Sequence, residues 1–286
     1  APEWIPYAAA ELPRDQAPDD ARSLCFDLPL DADQDVVGVP RLHLQVSSDR
    51  PIAAVAARLC EVDAEGRSWL VSQGLLNLCF RTGFTAAPAH LEPGRRYDVT
   101  IDLAPIASRF KAGRTLRLSL SDSLWPLVWP VPEKPTLTFD LEESHLSLPI
   151  RPAPSKEEPF PITEQDIPFP RSNPRLDIDE APDGRVRVDG AWPPSTSMVE
   201  ATGVELSGSG PDMQLEFDPS DPDSCRWSVK QTSRYRREDW DCEIRVSIEM
   251  RSTSTYFSIT ENLAAFKNGM PFYSREKRDR VPRRHS

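Results

Sequence analysis

The chain has 286 residues, with 30 prolines against 12 glycines and a formal net charge of −11. Proline spread along the whole length removes backbone donors and clashes with the preceding turn, which excludes long helical bundles and coiled coils. The acidic balance makes nucleic acid a poor partner, and no apolar run approaches the roughly 18 residues of a membrane span.

Residues 1–22 read as an extended lead-in. The opening APEWIPYAAAEL lacks the basic segment and apolar core of a secretory signal. It also lacks an initiator methionine, which reads as a processed product or a piece of a longer protein.

Residues 23–150 read as successive strands. RLHLQVSS sets Leu42, Leu44 and Val46 on one face, and IAAVAARLCEV and WLVSQGLLNLCF are apolar on both faces. RYDVTIDL, TLRLSLS, LTFDL and HLSLPI follow, separated by turn signals at Asp63–Gly66, Pro93-Gly94 and Lys111–Gly113. The only helix expected here is the short piece Pro105–Phe110. Strands at this spacing predict an antiparallel sandwich or jelly roll. Residues 151–174 read as a proline-rich linker, since eight prolines fall between Pro149 and Pro174. Strand character resumes over 175–274, where Ile244, Val246, Ile248 and Met250 alternate with polar residues. The basic stretch 275–286 is expected to be a solvated tail.

Candidate chemistry is sparse. No Gly-x-Ser-x-Gly elbow is present, and none of the four histidines, His43, His90, His145 and His285, is marked as poised beside a nucleophile. Asp31, Asp33 and Asp35 imitate the start of a calcium loop, but Val36 and Leu42 stand where its glycine and bidentate glutamate belong. Asp218, Asp221 and Asp223 are broken up by Pro219 and Pro222 and read as a turn. No metal, phosphate loop or other cofactor site is expected. The five cysteines are odd in number and widely spaced, which favours reduced thiols in a cytoplasmic protein. Trp125 and Trp129 in LWPLVWP, together with Trp69, are the residues chosen as domain-docking or ligand-facing.

Four stretches of the first region resemble the C-terminal jelly roll of cocaine-esterase and X-Pro dipeptidyl-peptidase type serine hydrolases, the CocE/NonD kind. They are PRLHLQVSSDRPIAAVAARLCEVDAEGRS, GLLNLCFR from Gly74, LEPGRRYDVTIDLAPIASRFKAG, and RTLRLSLSDSLWP. RYRREDW, YFSITENLAAFKNG and VPRR from Val281 resemble the trailing segment of an esterase-like branch. Arg114 replaces a usual histidine and Glu61 a usual aspartate.

The resemblance implies an all-β chain, with a jelly-roll sandwich of the galactose-binding-like kind followed by a second antiparallel β domain. It also implies a non-catalytic accessory region, inactive alone, that packs on the cleft of an N-terminal catalytic domain absent here. That catalytic domain would hold the serine, aspartate and histidine and take a small ester or peptide substrate. No catalytic residue carries over to this chain. The other reading is a stand-alone carbohydrate-binding jelly roll using Trp69, Trp125 or Trp129. Self-association is left open.

Overall fold

A computed structural model describes residues 15–125, 127–152, 175–182 and 184–286. It forms two compact units, one holding residues 15–152 with His285–Ser286, the other 175–284. Among the described residues every long element is a strand, and all named pairings are antiparallel.

In the first unit, β1 (Leu24–Pro29), β8 (Thr115–Ser121), β4 (Ala54–Val62) and β5 (Ser68–Asn77) make a sheet in that order. Opposite lie β6 (Tyr97–Asp102), β3 (Arg41–Ser48) and β9 (Leu137–Ser147), with the pair β2 (Gln34–Gly38) and β7 (Ile106–Phe110) alongside. The inward faces interleave: Leu42, Leu44 and Val46 of β3 share one core with Val55, Ala57 and Leu59 of β4 and Leu116 and Leu120 of β8. Each of these leucines and valines contributes about 1.5–3 kcal/mol through burial, the main force holding the two layers together. Only β4 and β5 form a hairpin of sequence neighbours within these two sheets. Its turn closes where Gly66 takes φ +81, a left-handed conformation that a Cβ would strain.

The sandwich agrees with the sequence reading, but several local expectations need correction. Pro105–Phe110 is not helical. Ile106–Phe110 is β7, because Ile106 and Phe110 alternate inward and Arg109 chelates Asp35 across the pair at 2.6 and 2.7 Å. The lead-in is not extended throughout: Ala17–Asp20 form a single helical turn, α1, started by Pro18 and backed by acidic side chains. LTFDL and HLSLPI, read as separate, contribute to one strand, β9. Leu78–Phe80, read as strand, close a 3-10 turn capped by the Asn77 side chain.

The second unit is a single antiparallel sheet: β10 (Arg175–Glu180), β11 (Val186–Ala191), β13 (Val204–Asp218), β14 (Asp221–Arg237), β15 (Trp240–Ser252), β16 (Tyr256–Lys267) and β17 (Met270–Pro282), with β12 (Ser195–Val199) on β13. Register aligns an apolar ladder across it, Ile178, Val188, Leu215, Trp227, Met250 and Ile259. The other face carries charge: Arg187, Glu216, Arg226 and Arg251 follow one another across β11, β13, β14 and β15, and Glu249 accepts from both Arg226 and Arg251 at 2.6 Å. Alternating side chains supply this division, as the sequence pattern predicted.

The basic tail is a second correction of boundaries. Residues 275–282 belong to β17 and pair with β16, Lys277 opposite Glu261 and Arg278 opposite Thr260. A strand wet on both faces carries no hydrophobic alternation, so composition alone made it look like a tail. Beyond it, the carbonyl of His285 accepts from Asn77 Nδ2 at 2.6 Å, and its ring lies 5.1 Å from that of His90. The linker predicted at 151–174 falls, from residue 153 on, outside the described residues.

Candidate functional site

The histidines come together in two pairs. His43 of β3 and His145 of β9 stack with centroids 4.5 Å apart on an outward face, and Thr100 Oγ1 lies 3.2 Å from His43 Nδ1. The nearby carboxylate, Asp102, is held by Arg41 through Nε at 2.6 Å and Nη2 at 3.2 Å, and that guanidinium keeps its acidity enhanced. Its proton-accepting capacity is thus spent on arginine rather than on orienting an imidazole. Asp33 and Asp35 are likewise engaged, by Lys111 and Arg109, and both titrate below the ordinary range because of those hydrogen bonds. Asp218 accepts from the amide and hydroxyl of Ser220 within its turn.

The three chosen tryptophans differ in environment. Trp125 is 1% exposed and lies among the buried side chains, so its ring offers no open face. Trp129 is half-buried. Trp69, 36% exposed, donates its indole N–H to Asp63 at 3.2 Å, and the Arg67 guanidinium sits 5.6 Å from its ring centroid.

Asp63 is the hub of this β4–β5 hairpin. It accepts from the amides of Glu65 and Arg67 and from Arg67 Nε at 2.8 Å, while Arg114 stands 3.8 Å away. Burial opposes its charge, but the bonds from Trp69 and Arg67 prevail and hold the carboxyl at about 2.

A second polar cluster ties α1 to the outer face of the first sheet. Arg58, a charged side chain in the middle of β4's apolar run, is buried. It donates to Gln16 Oε1 at 2.8 Å, Asp20 Oδ1 at 3.0 Å and Ser23 Oγ at 3.2 Å. Asp20 accepts as well from Ser119 at 2.8 Å and Arg117 at 3.2 Å. Both charges are thus paired and hydrogen-bonded, the condition under which an ion pair survives burial. Beside it, burial pushes the Cys60 thiol up to about 11, which makes it an inert filler rather than a nucleophile.

A cavity of about 330 Å³ lies between the edge strands β1 and β9, where the sandwich is open. Phe26, Leu28, Leu44, Leu118, Leu141 and Leu146 contribute to its walls. The cause is local. From Gln45 to His43 β3 advances two residues, while β9 advances five, from Asp140 to His145. The extra residues bulge, and the Ser144 hydroxyl replaces a ladder carbonyl by accepting from the Gln45 amide at 3.1 Å. Leu141 is left 56% exposed at the rim, facing the same groove as Leu28, 55% exposed. Asp27 on the rim is neutralised by Arg117, whose bonds at 2.7 and 2.8 Å keep its carboxyl below the usual range. An apolar groove with a sparse polar rim, here Asp27, Ser144 and His145, suits an apolar group. Sequence reasoning chose tryptophans and missed this groove. Its signal was the alternation of Leu24, Phe26 and Leu28 next to Leu141, Leu146 and Leu148.

The family model for the X-Pro dipeptidyl-peptidase C-terminal non-catalytic domain matches residues 6–158. Similar solved structures include a selenomethionine-labelled α-amino acid ester hydrolase, at 24% identity and TM-score 0.45 over 48% of this chain and 27% of that one. An aminopeptidase from a marine sediment archaeon, Thaumarchaeota archaeon, gives 20% identity and TM-score 0.47 over 52% and 30%. A CocE/NonD family hydrolase from Staphylococcus aureus gives 23% and 0.37 over 45% and 30%. The chain spans less than a third of the length of each. No curated protein matches. Through residues 6–158, more than half its length, the chain belongs to the family of X-Pro dipeptidyl-peptidase C-terminal non-catalytic domains.

Proposed function

We propose that this chain is the accessory portion of a larger serine hydrolase acting on small ester or peptide substrates. Its sandwich packs on a catalytic α/β-hydrolase domain, which lies N-terminal to it in the parent protein, and helps to wall that domain's cleft. The observation that carries the reading is the match of residues 6–158 to a non-catalytic domain. The groove between β1 and β9 supports it. Leucines 28 and 141 left open around an apolar cavity suit a hydrophobic side chain from a neighbouring domain better than solvent. In the same reading the sandwich is of the galactose-binding-like kind but uses its open side for protein contact. The five free thiols fit a reducing cytoplasm.

The test has two parts. The isolated chain should give no turnover of a nitrophenyl ester, and turnover sensitive to a serine reagent would overturn the proposal. In the full-length hydrolase, Leu28→Asp with Leu141→Asp should loosen the accessory region, read as faster proteolytic release with the chain's own fold unchanged by circular dichroism. Unaltered release would remove the groove from the interface.

A further inference from the structure

The strand β17 closes the second sheet on one side, and among the described residues only β16 pairs with it. It is long, Met270–Pro282, and nearly every position along it is exposed. Its apolar side chains are out of place in water: Phe272 is 74% exposed and Tyr273 50%. Prolines sit at Pro271 and Pro282 only, so in the run 272–281 no proline removes any of the alternate amides that point away from β16. An edge of this kind is a template for another strand unless its side chains repel one.

Apart from Lys277, which faces its own copy, the charged side chains along this edge attract a second copy. We propose that β17 pairs with β17 of another molecule, antiparallel about a two-fold axis at Lys277, joining two sheets into one. In that register Glu276 faces Arg278 of the second copy, Arg275 faces Asp279, and Tyr273 faces Val281, each contact occurring twice by symmetry. Facing residues share a face of the sheet, so these are direct cross-strand neighbours. Within one molecule Arg278 Nε now reaches Glu276 at 2.6 Å, and Lys277 pairs with Asp279. The same groups exchange partners across the axis, while the two Lys277 ammonium groups splay on flexible stems toward those carboxylates. A slip of one residue sets Glu276 opposite Asp279, or Arg275 opposite Arg278, and is disfavoured. The register about Arg278 keeps opposite charges but loses the contact of Tyr273 with Val281. The alternating signs that make the strand look like a protected edge are therefore complementary to their own reverse.

The experiment is sedimentation velocity on the whole chain between roughly 1 and 100 µM, the range in which an interface of one strand pair is expected to associate. The wild-type mass should rise toward that of a dimer, with amides of 272–281 gaining hydrogen-exchange protection at the higher concentration. Glu276→Lys and Arg278→Glu should each weaken association by about tenfold or more. The double exchange, which restores opposite charges, should recover it. Both side chains are solvent-facing, and circular dichroism checks that the strand survives. If either reversal unfolds, Glu276→Gln gives a smaller weakening through the same contact. A monomer at every concentration overturns the proposal. So does a dimer indifferent to both reversals, or a double variant no better than the single ones.

Discussion

The two units are both antiparallel β, yet they hold themselves together differently. In the sandwich, two layers face each other, and Val46, Val55, Ala57 and Leu59 are wholly shielded from solvent. In the second unit one sheet carries an apolar ladder on one face and charge on the other. Its fully buried hydrophobic side chains are few, among them Val188, Leu215 and Cys225 near one end. Ile244, Val246, Ile248 and Met250 are only half-buried. The contrast teaches where stability resides: in sealed side-chain contact for the first unit, in long continuous hydrogen-bonded ladders for the second. Each unit nevertheless buries an arginine: Arg58 lies under α1 on the outer face of the first sheet, and Arg283 of the second unit donates to the Thr253 carbonyl and stacks over Phe257.

The largest effect expected is from Arg58→Ala, which leaves the buried Asp20 carboxylate without its main cationic neighbour. Breaking a buried pair from one side destabilises by about 3–5 kcal/mol. Urea unfolding measures the loss, and hydrogen exchange should place it on β4 and β8. A change below about 1 kcal/mol would mean that Arg117 and Ser119 suffice to hold Asp20.

Next comes a matched pair. Leu59→Ala in the sandwich should lose about 2–5 kcal/mol, since the site is sealed and a cavity remains. Leu263→Ala, on the half-buried face of β16, should lose about 1 kcal/mol, because water already reaches the side chain and fills the gap. Equal losses in urea titrations would break the distinction between the two units. A smaller effect, about 1–3 kcal/mol, is expected for Gly74→Ala. A Cβ there would meet the Asp102 carbonyl oxygen at 2.8 Å and Ile101 Cγ2 at 3.0 Å, where β5 passes close to β6. Unchanged stability would show that these strands can separate without loss.

The strands of the sandwich were legible because one-face alternation and two-face apolar runs report directly on burial, as in β3 and β4. The second sheet was legible for the same reason as far as β16. What remained hidden depended on partners distant in sequence. Ile106–Phe110 alternates too briefly to announce a strand, and pairing with β2, more than 60 residues earlier, decides it. Arg58 looked like an interruption of an apolar strand until α1 supplied Asp20. The charges of β17 concealed an edge strand because neither of its faces is dry. The groove arose from a bulge in β9, and bulges depend on register rather than on composition. The tryptophans attracted notice as rings on which a sugar can stack and, in LWPLVWP, as a docking segment, whereas exposure is set by the fold.

The last effect is also the most specific, because it concerns a charge whose bonds only the folded hairpin makes. Asp63 in the native state titrates at about 2, while an unfolded aspartate titrates near roughly 3.9. The folded state therefore binds its proton less readily than the unfolded chain does. Its contribution to stability is complete above the unfolded value and fades as pH falls through about 2. In Asp63→Asn the melting temperature should be lower at neutral pH, where the bonds to Arg67 and Trp69 lose their charge. The gap from wild type should then narrow as acid removes the same charge from the native protein. Scanning calorimetry at several pH values between neutrality and pH 2 reads this directly. Melting curves that stay parallel throughout would show that the carboxylate of the β4–β5 turn is not what the acid titrates.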